Sequence, residues 1–200
     1  MSRTIRTLSV VLGLLLVLAG CSGSDTNWNA KNIRGLMPEL EFQLTATDGE
    51  PFTPEDRAGQ VRLLFFGFTN CPDICPATMA RLQNAVKQMP EAMRDEVTLL
   101  FVSVDPERDT PERIGEYVDF FGDNIVGLTS DEATLRELAK RYRTTFGYGK
   151  PDEDGNYDVS HSSAVYVFDG QARARLLIRS DQSISQISED LETLVRQGRD

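Results

Sequence analysis

A hydrophobic run dense in leucine and phenylalanine, Val61 to Phe68, stops at Thr69-Asn70 and leads into Cys71-Pro72-Asp73-Ile74-Cys75-Pro76. This junction restricts the possible folds more than any other stretch. A short apolar run bounded by turn signals reads as a buried strand. Pro76 suits the first turn of a helix, where no backbone N–H is required. Residues four apart on a helix share a face, so both sulfurs are held on one side of the helix start. Such a pair can close into a disulfide, exchange with a partner's disulfide, or chelate a soft metal ion.

Downstream, strand and helix patterns alternate. Met79, Leu82, Val86 and Met89 fall at helical spacing, and Val97 to Val104 is a second buried strand ending at Asp105-Pro106. Thr110 and Pro111 cap and open a helix with the apolar face Ile114, Tyr117, Val118 and Phe121, which Gly122 ends. Ile125 to Thr129 is a third strand. Ser130 is the expected cap of the next helix, whose face is Leu135, Leu138, Ala139 and Tyr142. A loop of Gly, Pro, Asp and Glu, about 144–160, precedes a fourth strand, Ala164 to Phe168, and is long for a compact domain. Asp169-Gly170 turns into a fifth strand, Ala174 to Arg179, and Ile184, Ile187, Leu191 and Leu194 line a closing helix. Ahead of all this, Leu40, Phe42 and Leu44 with the Asp48-Gly49 turn and Phe52 suggest an antiparallel hairpin. Helices between the first four strands imply parallel crossovers, and the Asp-Gly turn an antiparallel edge pair. The expected architecture is α/β, a thioredoxin-like fold with an N-terminal β-hairpin and an inserted long loop before the fourth main strand. In such a sheet ligands bind beyond the carboxyl ends of the strands, where Cys71 falls.

The first twenty residues are of another kind. Arg3 and Arg6 precede an apolar run, Leu8 to Leu18, and Leu18-Ala19-Gly20-Cys21 matches the bacterial lipoprotein box. The expectation is a lipoprotein signal peptide over 1–20, a flexible linker over 21–36 starting at lipidated Cys21, and one domain over 37–200. That places the domain on the periplasmic side of a bacterial membrane, tethered by lipid, with inner and outer membrane equally compatible. Processing strips two arginines and takes the formal net charge from −10 to −12. A surface that acidic repels phosphates, which argues against a nucleic-acid partner.

Lipidation would consume one of the three cysteines, leaving Cys71 and Cys75 to pair only with each other. In an oxidising compartment they form a structural disulfide, a redox couple or a metal site. A structural crosslink closing so short a loop contributes only about 2 kcal/mol. A redox couple has its thiols at a helix N-terminus, where the dipole favours thiolate. However, the spacer Pro72-Asp73-Ile74 is three residues, where thioredoxin-type oxidoreductases use two. A metal site of two thiolates and an imidazole suits copper, and the sole histidine, His161, immediately precedes the fourth strand.

Several blocks in order resemble the SCO/SenC family. They are Phe66 to Pro76, Ser103 to Pro111, Val126-Gly127-Leu128-Thr129, Pro151 to Asp154 and Val159-Ser160-His161-Ser162. The resemblance spans about residues 38 to 197. It implies a thioredoxin-like, membrane-anchored assembly factor for cytochrome c oxidase, a copper chaperone that helps build the dinuclear copper centre of oxidase subunit II. Carried over residue by residue, Cys71, Cys75 and His161 are the copper ligands. Asp105 matches an acidic position around that site, with capping of the strand end as its bland role. Asp73 is a second acid near the metal, or simply helix N-terminal charge. The implied partners are oxidase subunit II, a periplasmic copper donor and a thioredoxin-like reductant, with the cysteine pair as a redox gate. The alternative is an enzyme, a thiol–disulfide reductase for the oxidase copper-site cysteines with Cys71 and Cys75 catalytic. A thiol peroxidase is a third reading.

Overall fold

A computed structural model describes residues 26–199. The signal segment and Cys21 lie outside the described residues. In chain order the strands are β1 (Lys31–Asn32), β2 (Leu44–Ala46), β3 (Pro51–Phe52), β4 (Val61–Gly67), β5 (Val97–Ser103), β6 (Ile125–Thr129), β7 (Phe146–Tyr148), β8 (Val159–His161), β9 (Val165–Phe168) and β10 (Ala174–Ile178). The helices are α1 (Ile74–Gln88), α2 (Glu91–Arg94), α3 (Pro111–Asp119), α4 (Glu132–Arg141) and α5 (Ile184–Arg199). Among the described residues no helix is long and apolar enough to cross a membrane.

Eight strands form one sheet in the order β1-β10-β9-β4-β5-β6-β2-β3. β4 and β5 are buried along their whole length, as strands covered by helices on both faces must be. Alternate side chains divide between two cores. Leu63, Phe65, Leu99, Phe101, Val165 and Val167 pack with Met79, Leu82, Ile114, Leu191 and Leu194 from α1, α3 and α5. Leu64, Phe66, Leu100, Val102, Tyr166 and Phe168 pack on the other face with Leu135 and Leu138 of α4 and with Leu40, Leu44 and Phe52. One charge lies inside this sheet. Arg62 is 2% exposed and donates from Nη1 to the Pro54 carbonyl (2.9 Å) and from Nη2 to the Asp169 carbonyl (2.6 Å).

The crossovers β4–β5–β6 are parallel, as the intervening helices require. The fourth main strand departs from expectation: β9 runs antiparallel to β4. The reason lies in the segment before it, which is not a bare loop. Phe146↔His161, Gly147↔Ser160 and Tyr148↔Val159 pair as a separate antiparallel hairpin, β7–β8. This hairpin leaves the chain at the carboxyl end of β4, so β9 starts there and runs back. The N-terminal hairpin β2–β3 forms and pairs through β2 with β6 at the far edge. Within the expected spacer of 21–36, the segment 29–33 is held against the domain. β1 pairs with β10, Ile33 is 3% exposed, and buried Asp190 accepts the Asn29 and Ala30 amides. Asp131, not Ser130, caps α4, its carboxylate accepting the Thr134 amide at 3.0 Å.

Candidate metal centre

β4 delivers the chain to the carboxyl end of the sheet, and the turn after Phe68 presents Cys71 half-exposed at the surface. α1 begins at Ile74 with Asp73 at its N-cap and Pro76 in its first turn. Cys75 is fully buried beneath that turn, and its free first-turn amide donates to the Cys71 sulfur (3.3 Å). Both cysteines are free thiols. From the other side comes β8, whose last residue is His161. Its Nε2 lies 3.2 Å from Cys75 Sγ and 3.9 Å from Cys71 Sγ.

The imidazole is oriented by its other nitrogen. Nδ1 stands 3.0 Å from the Ser162 carbonyl, which can only accept, so Nδ1 carries the proton and the Nε2 lone pair faces the sulfurs. The rings of Phe65 and Phe68 wall it in edge-on, with centroids at 5.9 and 5.6 Å. Burial holds the His161 pKa below the usual histidine value, which keeps the ring neutral and able to ligate. Burial likewise pushes the Cys75 thiol up, so a ligand ion must displace a tightly held proton.

The three donor atoms all lie within 4.8 Å of one another. Metal bonds of about 2.0–2.3 Å from imidazole and thiolate place donors roughly 3.5–4 Å apart around a trigonal ion. The sulfur–nitrogen separations of 3.2 and 3.9 Å need only small adjustment to reach that. Two thiols, one neutral imidazole and no carboxylate make a donor set for a soft ion. All three residues named from sequence as ligands therefore converge.

The two acids named beside them do not join the cluster. Asp73 is exposed, and its carboxylate caps no amide of α1. Asp105 is completely buried and accepts from Arg108 Nε (2.6 Å) and from Tyr157 Oη (2.6 Å). Sequence reasoning missed two supporting residues. Gly67 leaves room for Cys75, because a Cβ there would sit 3.0 Å from its sulfur and 2.7 Å from the Phe101 ring. Asp109, 1% exposed, accepts the Thr69 amide (2.8 Å), the Thr69 hydroxyl (2.6 Å) and the Ser103 hydroxyl (2.5 Å), and so holds the turn ahead of Cys71. The sequence marked Asp109 only as a member of the Ser103 to Pro111 block, with no sign of which donors its carboxylate would accept.

A thioredoxin-like sheet with a Cys-x3-Cys pair, Cys71 in the turn before its first long helix and Cys75 in that helix's first turn, faced by one histidine from an added hairpin, defines a class of soft-metal thiol proteins. The family model described as SCO1/SenC matches residues 35–196, and the chain belongs to that family. It is 39% identical over 127 residues to the human mitochondrial protein SCO1 homolog, covering 63% of this chain and 42% of that one. It is 32% identical over 195 residues to an SCO2-like protein of Rickettsia typhi, covering 92% and 93%. The chain thus spans less than half of the human relative but nearly all of the bacterial one. The crystal structure of Arabidopsis thaliana ScoI with copper bound superposes with a TM-score of 0.73 at 30% identity, covering 80% of this chain and 98% of that one.

Proposed function

We propose that this chain binds one copper ion through Cys71, Cys75 and His161 and passes it on by ligand exchange. The observation that carries this reading is the convergence of two thiols and a neutral imidazole within 4.8 Å, in a family with a copper-bound member of the same fold. The family resemblance supplies the destination, the dinuclear copper centre of cytochrome c oxidase subunit II. A periplasmic copper donor loads the site. Closing a Cys71–Cys75 disulfide gives two electrons to an oxidant and removes both sulfurs from the ligand set. The pair then gates binding, and a thioredoxin-like reductant reopens it. A lipid on Cys21 would hold the domain at the periplasmic face of the membrane.

The test is copper stoichiometry and ligand spectroscopy on the reduced, anaerobic protein beside His161→Ala. One copper per chain is expected, with Cu(II) affinity reduced at least tenfold in the variant and the fold retained. Equal affinity in the two proteins would dispose of the three-ligand site. A second reading, a thiol–disulfide reductase acting on the oxidase cysteines, draws support from the unequal thiols, Cys71 half-exposed and Cys75 buried, as in an attacking and resolving pair. That activity does not need the imidazole. Restored oxidase assembly in cells carrying only His161→Ala would favour it over copper transfer.

A further inference from the structure

The strand that carries His161 belongs to a hairpin of two three-residue strands, in a sheet of its own. A lone two-stranded hairpin is at best marginally stable in water. Its position over the cysteines must come from side chains that tie it to the body of the domain. One tie is Tyr148 Oη, which donates to the Val104 carbonyl at 2.6 Å.

A second is on the same strand: Phe146 is buried in the core and its carbonyl accepts from Arg136 Nη1 at 3.3 Å. The tie on the β8 side is more elaborate. Tyr157 lies four residues before His161, at the tip side of the hairpin, and its hydroxyl donates to Asp105 Oδ1 at 2.6 Å. Arg108 Nε donates to the second oxygen, Oδ2, at 2.6 Å, and Arg108 Nη1 donates to the Tyr157 carbonyl at 3.0 Å. The guanidinium also lies over the Tyr157 ring, 3.8 Å from its centroid. Asp105 is fully buried, so its two oxygens depend on these two donors, and losing either leaves a buried carboxylate partly unpaired. Such a unit has a strong preference for being closed. Yet Arg108 Nη2 is buried with no partner, so closure is not free of cost.

We propose that Tyr157 and Arg108, meeting on Asp105, are positioning residues for copper capture: a latch whose closure places the His161 imidazole over the sulfurs and so supplies the third ligand. The inference rests on the three-ligand reading above. Neither side chain touches the donor atoms; each acts through the hairpin. With the latch open, the hairpin keeps its β7 anchors, Tyr148 on Val104, Arg136 on the Phe146 carbonyl and the buried Phe146 ring, but β8 loses its hold beside the cysteines, and Cys71 and Cys75 remain as a two-sulfur site.

The test uses the full chain, reduced, with Tyr157→Phe and Arg108→Gln made alone and in the His161→Ala background. Tyr157→Phe removes one hydroxyl and keeps the ring under the guanidinium, so folding is preserved. Two readouts are taken: proton–proton contacts between the His161 ring and the Phe65 and Phe68 rings without metal, and Cu(II) affinity. Each single variant is expected to weaken the ring contacts and to lower affinity by roughly tenfold, the scale of outer-shell partners. In the His161→Ala background neither is expected to lower it further, because the pairs act through one ligand. An equal loss in that background, or wild-type ring contacts in both variants, overturns the latch. Should the wild type take up no copper, the three-ligand reading falls, and the ring contacts alone decide whether the latch exists.

Discussion

Gly67 admits no larger residue, and its reason is contact and not conformation. It sits at the end of β4, where the Cys75 sulfur and the Phe101 ring occupy the space a Cβ would take. Gly67→Ala is expected to cost about 1–3 kcal/mol through overpacking and to push the sulfur away from Nε2. Urea denaturation measures the first effect and Cu(II) affinity the second; a variant with wild-type values for both would mean that the sulfur and ring yield freely. Asp109 acts one layer further out. Asp109→Asn sets an amide donor among the Thr69 and Ser103 donors, and loss of these charge-assisted bonds is expected to cost roughly 1.5–3 kcal/mol. A thermal midpoint unchanged from the wild type would argue against it. The three donors that converge could be read from the chain, because it holds three cysteines and one histidine and few combinations are possible. Gly67, Arg108, Asp109 and Tyr157 could not. Their roles depend on neighbours that the fold brings from up to about fifty positions away, so the blocks that contain Gly67, Arg108 and Asp109 name the positions without giving their contacts.

At the level of elements, period and punctuation were reliable where segments were long. β5, β6, α1, α3 and α5 fall close to where their apolar spacing puts them, and Thr110 with Pro111 opens α3 as expected. Two features were hidden. The three-residue strands β7 and β8 are too short to show alternation among the surrounding Gly, Pro, Asp and Glu. Since that hairpin also sets where β9 begins, its absence from the reading turned an antiparallel pairing into an expected parallel one. The hairpin, with two three-residue strands in a sheet apart from the main one, depends on side-chain ties for its place. Tyr148→Phe deletes the bond to Val104, worth about 1 kcal/mol net, and should speed amide exchange in β7 and β8 by roughly fivefold. Amides of β4 and β5 should exchange as before. Equal acceleration in all four strands would show that the hairpin opens only when the whole sheet does.

Across the whole molecule, the site joins two segments that approach it from opposite directions, the turn leading into α1 and the hairpin leading into β9. An ion held by both favours the folded chain by mass action, by about 4 kcal/mol at a free concentration a thousandfold above its dissociation constant. A Cys71–Cys75 disulfide should abolish that stabilisation, and thermal unfolding of reduced and oxidised protein with copper present checks it. Proton binding works against the same junction. Burial depresses the His161 pKa, so the folded chain takes up a proton less readily than the unfolded chain, whose histidine titrates near 6.5. Above that pH the ring is neutral in both states and contributes nothing to the balance. As pH falls through 6.5, the unfolded chain gains a proton that the fold refuses, and stability declines until the folded pKa is passed. Metal-free, reduced protein should therefore lose more stability between neutrality and pH 5 than His161→Gln does over the same interval. Denaturant midpoints at several pH values measure the difference, and parallel curves would mean that the imidazole protonates as easily in place as in solvent. Acid also returns protons to the thiols that a metal must displace, so the two effects add, and the site should release its ion and loosen its hairpin together.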